Sequence, residues 1–454
     1  MRIAIVGGGI AGLAAAWELR GDAELTVFDP GPLGGRVRTS VFGGKMVDEG
    51  ADAFITRVPH ALQLCRELGL TDRLVAPQAG RSLLWWDGRL RPLPAGLVLG
   101  VPTSLRALRQ GGLLSRAAIA RVALEPLVPR TRSVDDVSVR DLIKRRYGRQ
   151  VADRLVEPLV GGISAGWTGE LGALEVTPQI AAAARDNRSL MRALGRVLRD
   201  RPESTEPMFQ TPLGGMGELV DALVTQLSEH GVSFRAEEVT ELTVGPTGAV
   251  TLGPFGDSFD GAVLATPAAV SARLLQPETP SGLDRIATSS VAIVTVALGG
   301  AELPPGFNGF LVPRQENHLM TACSFASNKW PHWTDDDRPL VRISCGRRGD
   351  NRFADLTDDA LVECLVGELG DALGQKPVAV EARVSRWPDS FAQYLVGHTR
   401  RGQEIAEVLR RTHPHVRLAG ASYSGIGIPA CIGSGRQAAD ELRNAIRLRP
   451  PVRH

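Results

Sequence analysis

The chain opens on an apolar run, Ile3-Ala4-Ile5-Val6, bounded by Arg2 and a cluster of glycines, and a second run, Leu25-Thr26-Val27-Phe28, follows shortly after. Short continuous apolar runs bounded by turn residues mark strands buried on both faces. Between them Leu13 to Arg20 reads as a helix that stops near Gly21. The pattern therefore predicts a strand over 2–6, a helix over 13–20 and a strand over 24–29, together one β-α-β unit. From about Arg81 to Arg201 the periodicity is helical. Strand-like runs return at Val232–Phe234, Val263–Ala265, Val291–Val296 and Leu340–Ser344, and further helices are expected over Asp358–Leu373 and from about Ser434 to Arg447. The charge-free stretch from Leu418 to Gly435 is just long enough to raise a membrane span. It holds Gly420, Gly425, Gly427, Gly433, Gly435 and Pro429, and so reads as a turn between elements.

Composition narrows the class. A chain of 454 residues with 43% hydrophobic positions buries a sizeable core, which excludes wholesale disorder. A net charge of +2 gives no global field for nucleic acid or an anionic membrane. Residues 101–200 carry 17 basic against 10 acidic side chains, a local excess read first as solvated helix faces and second as guidance for an anionic substrate. Only Lys45, Lys144, Lys329 and Lys376 among the 52 basic residues are lysines, which reads as the coding bias of a bacterial genome. Five cysteines without C-x-x-C spacing argue against a disulfide framework or a zinc site and for the reducing cytoplasm. The eight histidines are scattered without metal-ligand spacing. No metal is expected.

The first chemical signal lies in the first turn. Gly7-Gly8-Gly9-Ile10-Ala11-Gly12 is G-x-G-x-x-G after a strand and before a helix, the setting that turns a weak motif into a strong one. Gly7 permits the tight turn, Gly9 lets backbone amides approach a pyrophosphate, and Gly12 lets helix and sheet pack closely. Asp29, at the end of the second strand, stands where a carboxylate accepts hydrogen bonds from ribose. The competing reading is a glycine-rich turn without a ligand. The unit alone does not distinguish NAD from FAD.

Later segments do. Pro32-Leu33-Gly34-Gly35-Arg36-Val37-Arg38-Thr39 resembles the G-G-R-x-x-[ST] segment of FAD enzymes of the amine oxidase type, and Asp48-Glu49-Gly50-Ala51-Asp52-Ala53-Phe54 resembles the turn beside their flavin. Leu418-Ala419-Gly420 with Tyr423-Ser424-Gly425-Ile426-Gly427-Ile428-Pro429 resembles their closing flavin motif. Ala430-Cys431-Ile432-Gly433-Ser434-Gly435-Arg436, the stretch from Glu157 to Gly166, Gly214-Gly215-Met216, Ala265-Thr266-Pro267, and Arg386-Trp387 with Gln393-Tyr394-x-x-Gly397-His398 resemble the protoporphyrinogen/coproporphyrinogen oxidase family. The resemblance runs over the whole chain in order. It departs at Ser164, where an aromatic is usual, at Trp167, where a charged or small residue is usual, and at Asp29, where Glu is commoner.

The resemblance implies an α/β fold: a Rossmann-type FAD-binding domain from 1–80, 205–268 and 385–454, a helical insertion over 81–204, and an α+β substrate domain over 269–384, with the flavin ring where they meet. It implies FAD held by Gly7, Gly9, Ile10, Ala11, Gly12, Phe28, Asp29, Gly35, Arg36, Gly50, Ala51, Asp52, Ala53, Val239, Trp387, Ile426, Gly427 and Ile428. It further implies a tetrapyrrole substrate and O₂, with Gly162 offering its carbonyl to a pyrrole N–H and Arg57 pairing with a propionate. A surface salt bridge is the other reading of Arg57. The resemblance implies that flavin N5 carries the chemistry; no acid/base pair stands out, and no catalytic side chain is named. His398 is read as structural. The activity implied is oxidation of coproporphyrinogen III in haem synthesis, without nucleic acid or an integral membrane segment. Protoporphyrinogen oxidation, amine or polyene oxidation by another member of the superfamily, and a non-catalytic binding protein on this scaffold are the alternatives. The docking of a haem-pathway enzyme, the oligomeric state and the physiological electron acceptor stay open.

Overall fold

Strand β1 (Arg2–Val6) is buried from Ile3 onward and lies between two parallel partners, β2 (Glu24–Phe28) and the strand Gly261–Leu264. This arrangement comes from a computed structural model that describes residues 1–78, 80–131, 133–200, 207–246, 248–334 and 337–447. The chain divides into two units.

The first unit comprises Met1–Ala76, Glu206–Ile286 and Thr399–His454. Its centre is a five-stranded parallel sheet in the order Ser233–Arg235, β2, β1, Gly261–Leu264, Val416–Leu418. The connection from β1 to β2 is α1 (Ile10–Leu19), in which all ten residues except Glu18 are buried. Its alanines and Gly12 hold it close to the sheet on one side and to the helix Ile428–Arg447 on the other. A small antiparallel sheet of Glu241–Val244, Val250–Gly253 and Asp257–Phe259 adds to the same unit.

That last helix corrects the reading of 418–435 as a turn. It starts at Ile428, six residues before the expected Ser434. Pro429 falls in its first turn, where a missing N–H and a fixed φ are tolerated. Its glycines serve contact rather than chain reversal: a Cβ on Gly435 would lie 2.1 Å from the Ala11 carbonyl oxygen, and one on Gly433 would lie 2.6 Å from the His60 ring. Gly435→Ala is therefore expected to lower stability by about 1–3 kcal/mol, the usual penalty of overpacking against backbone. A lowered midpoint in chemical denaturation checks this; an unchanged midpoint refutes it.

The second unit comprises Pro77–Thr205 and Ala287–His398. It contains a seven-stranded sheet in the order Val378–Ala392, Thr288–Gly299, Leu340–Cys345, Met320–Phe325, Phe307–Leu311, Arg81–Trp86, Arg89–Pro92. All neighbours are antiparallel except Phe307–Leu311 with Arg81–Trp86. The helix Asp358–Leu373, whose limits match the expected ones, buries Leu361, Leu365 and Leu369 in the core of this sheet. A separate cluster of short helices between Leu105 and Arg199 has its own core around Leu142, Ile143, Leu155 and Leu194.

Within the stretch from Arg81 to Arg201 the helices thus begin at Leu105, not at Arg81. Arg81–Pro92 is a hairpin closed by Asp87-Gly88, both at positive φ (54° and 66°). A two-residue link of this kind matches the twist of paired strands, and Asp-Gly is among its preferred sequences. Residues 385–392, expected with the last nucleotide-binding segment, belong instead to one long strand paired along Thr288–Gly299.

Candidate functional site

In the first unit the turn after β1 is drawn tight. Gly7 has φ +106° and donates its N–H to the Phe28 carbonyl at 2.8 Å; a Cβ there would meet the Ala265 carbonyl oxygen at 2.8 Å. A Cβ on Gly12 would lie 1.9 Å from the Gly7 carbonyl oxygen, so no larger residue fits. Gly9 is different: a Cβ there would meet nothing within 4 Å. It caps α1 without any side-chain partner, and the first amides of a helix have no intrahelical acceptor. Open space above uncapped N–H groups is the cradle that a pyrophosphate fills. Gly35, at φ +60°, lies with Gly34 against the Gly8-Gly9 segment, where Gly34 N–H donates to the Gly8 carbonyl at 2.8 Å. The donor set fits a dinucleotide.

Asp29 braces the backbone around this turn. Its carboxylate accepts the Gly8 N–H at 2.6 Å and the Gly31 N–H at 2.8 Å, bracing both loops that border the cradle. Each oxygen keeps a further lone pair for a ribose hydroxyl. Phe28 is packed in the core with Val239, Phe255 and Phe259, so its ring faces protein. Arg36 is exposed, and its positive charge opposes the burial that pushes the Cys431 thiol up to about 11. This brings the G-G-R segment to the first turn of the helix that begins at Ile428, next to Ile426 and Gly427.

Gly50, Ala51, Asp52 and Ala53 form the link between Lys45–Asp48 and Phe54–Ile55. Asp48 at its entrance is fully buried; it accepts the Thr39 hydroxyl at 2.5 Å and the Met216 N–H at 2.8 Å, capping the helix Met216–Glu229. The Gly214-Gly215-Met216 motif is thus the start of a helix tied to the flavin-type turn. Arg57 is exposed in the same unit, just before the helix Pro59–Glu67.

Gly162 and Trp387 lie in the second unit. A wide π-helical stretch, Ala152–Gly161, contains Pro158 and runs into the turn Gly162–Gly166. Such stretches are rare and recur at functional sites. The turn is fastened through its carbonyls: Ser164 O accepts the Gln393 amide at 3.0 Å, Ala165 O accepts Ser289 Oγ at 2.9 Å and the Arg348 N–H at 2.8 Å, and Gly166 O accepts an Arg314 N–H at 3.2 Å. Ala165 stands at φ +43° and is held there by these bonds. The Gly162 carbonyl has only a long contact from Ala165 N–H, at 3.4 Å, and so keeps acceptor capacity.

Beside this turn is a cavity of about 90 Å³ lined by Glu157, Pro158, Gly162, Arg314, Arg347 and Phe391, among others. Glu157 is 5% exposed and accepts the Thr168 N–H at 3.0 Å as well as the Thr168 hydroxyl. Its other oxygen lies 3.4 Å from Arg314 Nε. Neither Glu157 nor the arginines 314 and 347 were singled out as site residues in the sequence, because only their burial around a cavity distinguishes them from the other charged positions. Trp387 is half-buried, opposite Val291 on the long paired strands. His398 is 2% exposed and stacked on Tyr394 with ring centres 4.0 Å apart, in keeping with a structural role. Among the described residues no group of histidine, cysteine or acidic side chains is arranged to hold a metal ion, and no helix is long and apolar enough to cross a membrane.

Residues 10–443 match the family model described as flavin containing amine oxidoreductase. A coproporphyrinogen III oxidase of Mycobacterium tuberculosis is 35% identical, over 97% of both chains. The coproporphyrinogen III oxidase of Bacillus subtilis is 31% identical, again over 97% of both. A crystal structure from Exiguobacterium sp. 255-15, provisionally assigned as a protoporphyrinogen oxidase, superposes with a TM-score of 0.88 at 28% identity, covering 97% of this chain and 99% of that one.

Proposed function

Because this chain belongs to the family of flavin-containing amine oxidoreductases, we propose that it is an FAD-dependent oxidase that converts coproporphyrinogen III to coproporphyrin III in haem synthesis. The observation that carries the reading is identity of 31–35%, nearly end to end, with coproporphyrinogen III oxidases. Two features support it separately: the glycine-rich turn of the first unit suits a dinucleotide, and the Gly162 carbonyl of the second suits a pyrrole N–H.

Bound FAD would supply a hydride acceptor at N5, with O₂ as the final oxidant and H₂O₂ as its product. Per porphyrinogen, three O₂ are consumed and three H₂O₂ formed, as six hydrogens leave the macrocycle. The chain's own residues bind and orient. The amides of Ile10, Ala11 and Gly12 and the backbone at Gly9 and Gly35 hold the pyrophosphate, with Arg36 neutralising its charge. Asp29 holds the ribose while it braces the loops. The amides at the start of the helix Ile428–Arg447, beside Ile426 and Gly427, would favour negative charge on a reduced flavin. Residues 50–53 would complete its binding. In the second unit Gly162 offers its carbonyl to a pyrrole N–H, which fixes the donor carbon; positioning of this kind supplies much of the rate.

The first unit is on this reading the FAD-binding part, and the second the substrate-binding part, with the helical cluster and the seven-stranded sheet within it. The enzyme works in the cytoplasm on a free small-molecule substrate.

Anaerobic mixing with coproporphyrinogen III and, separately, protoporphyrinogen IX tests the proposal. Faster flavin bleaching with the first, then porphyrin fluorescence when air is admitted, is the expected result. Bleaching with neither, in a protein that holds FAD, refutes it; faster bleaching with the second reverses the preference. Arg57→Ala is expected to raise the substrate KM about 2–5-fold with kcat unchanged, the scale of an exposed ion pair. An unchanged KM makes Arg57 a surface residue.

A further inference from the structure

The cavity beside Gly162 has a wall charge that its own residues do not balance. Arg347 is 9% exposed, and its Nε has no hydrogen-bond partner. Its nearest carboxylate is Asp350, at 3.7 Å from a terminal nitrogen. That carboxylate is committed elsewhere: Arg352 grips both its oxygens at 2.8 Å, and this pairing first of all holds Asp350 below the usual carboxylate range. The second cation on the cavity, Arg314, is satisfied by the Gly166 and Arg348 carbonyls and by Glu157. Glu157 in turn is shared with Thr168. The lining therefore holds two guanidinium groups and one carboxylate, and Arg347 has the least compensated charge.

A buried guanidinium without a full set of partners is costly and is retained where something pairs with it. Burial and the neighbouring Arg314 both press Arg347 toward losing its proton, so an anion arriving in the cavity is favoured by both charges at once. The backbone that carries it is fixed. Gly346 has φ +87°, and a Cβ there would lie 2.6 Å from the Ser290 carbonyl oxygen. Residues 347 and 350 exchange N–H···O bonds at 3.1 and 2.8 Å. The side chain is thus presented by a rigid turn, and the cavity of about 90 Å³ admits a carboxylate-tipped arm but not a tetrapyrrole ring.

We infer that Arg347, assisted by Arg314, is a specificity-determining residue that binds one propionate carboxylate of the substrate in this cavity while Gly162 holds the ring. The inference rests on the porphyrinogen reading. An uncharged arm in that place would leave Arg347 unpaired, so the cavity selects a carboxylate over a vinyl group at the arm it receives.

The test compares the wild-type holoenzyme with R347M and R347K. Equilibrium binding of coproporphyrin III and of its tetramethyl ester is followed by porphyrin fluorescence, and KM and kcat are measured for coproporphyrinogen III. R347M is expected to weaken coproporphyrin binding and raise KM about 10–100-fold, the range of a buried charge-assisted pair, with kcat changed little. The ester is expected to bind wild type and R347M alike, and R347K to recover part of the loss. R347M should keep or raise the denaturation midpoint, because it removes an uncompensated buried charge. Equal coproporphyrin binding by wild type and R347M, while wild type oxidises coproporphyrinogen, overturns the inference and spares the proposed function. A lower midpoint with unchanged binding also overturns it, by making Arg347 a structural partner of Asp350. A wild type that holds FAD but neither binds coproporphyrin nor oxidises its porphyrinogen overturns both.

Discussion

Gly162→Leu is expected to give a folded protein with the flavin absorbance of the wild type and turnover lower by about a hundredfold or more, the scale of a small misplacement at a reacting centre. The two glycines of the turn and Gly161 just before it make the case. A Cβ on Gly161 would press on Glu157 Oε1 at 3.0 Å and on the Gly166 carbonyl oxygen at 3.2 Å. One on Gly166 would lie 2.8 Å from both Leu171 and Gln393. At Gly162 the backbone is ordinary helix, with φ −62° and ψ −48°, and a Cβ would meet only Leu311 at 3.8 Å. Neither conformation nor packing requires glycine there. What a side chain at Gly162 would take is the space beside the cavity, where the substrate is proposed to lie. Gly162→Ala, one methyl, should lose less, and both variants should unfold with the wild type. Wild-type turnover in Gly162→Leu would remove this residue from the site.

The contrast among these glycines shows what is legible in the sequence. The first β-α-β unit is, because apolar runs, glycine spacing and a terminal acid all report on local backbone. The helix Asp358–Leu373 is equally plain from its periodicity. The last helix is misread because glycine carries two meanings: in Gly433 and Gly435 it marks close helix contact, while spacing alone suggests a turn. The hairpin Arg81–Pro92 had a local signal in Asp87-Gly88, hidden by arginines on either side that continue the helical pattern. The glycine motif places the nucleotide cradle, but the bracing role of Asp29 depends on which amides reach it in space. Arg347 is further from reach. It is one of two adjacent arginines after a strand, and the two differ in burial: Arg347 is buried beside a cavity, while Arg348 is half-exposed and pairs with Glu170.

The arginine excess of 101–200 hides a similar exception, and it yields the largest stability effect expected here. Solvated helix faces account for many of these residues, but Arg146 is fully buried. Its Nε and one terminal nitrogen donate to Glu125 Oε1, at 3.0 and 2.5 Å; that terminal nitrogen also donates to the Arg188 carbonyl at 2.7 Å, and the other one to the Pro129 carbonyl at 3.2 Å. Glu125, also fully buried, accepts the Ser189 hydroxyl and the Leu190 N–H, each at 2.8 Å, which ties the helix Leu190–Arg199 to the same pair. Glu125→Ala leaves a guanidinium in the core without its counter-ion and frees the start of that helix, so it should destabilise the protein by about 3–5 kcal/mol. Replacing both partners by apolar residues of similar size, as in E125L/R146M, removes the charge as well as the bond and should recover most of that loss. Denaturant midpoints of the wild type, the single variant and the double variant decide it. If Glu125→Ala falls within about 1 kcal/mol of wild type, water has reached the pair and its energy is that of a surface bridge. If the double variant is no better than the single, the hydrogen bonds to Ser189, Leu190, Pro129 and Arg188 hold the helical cluster together more than the charges do.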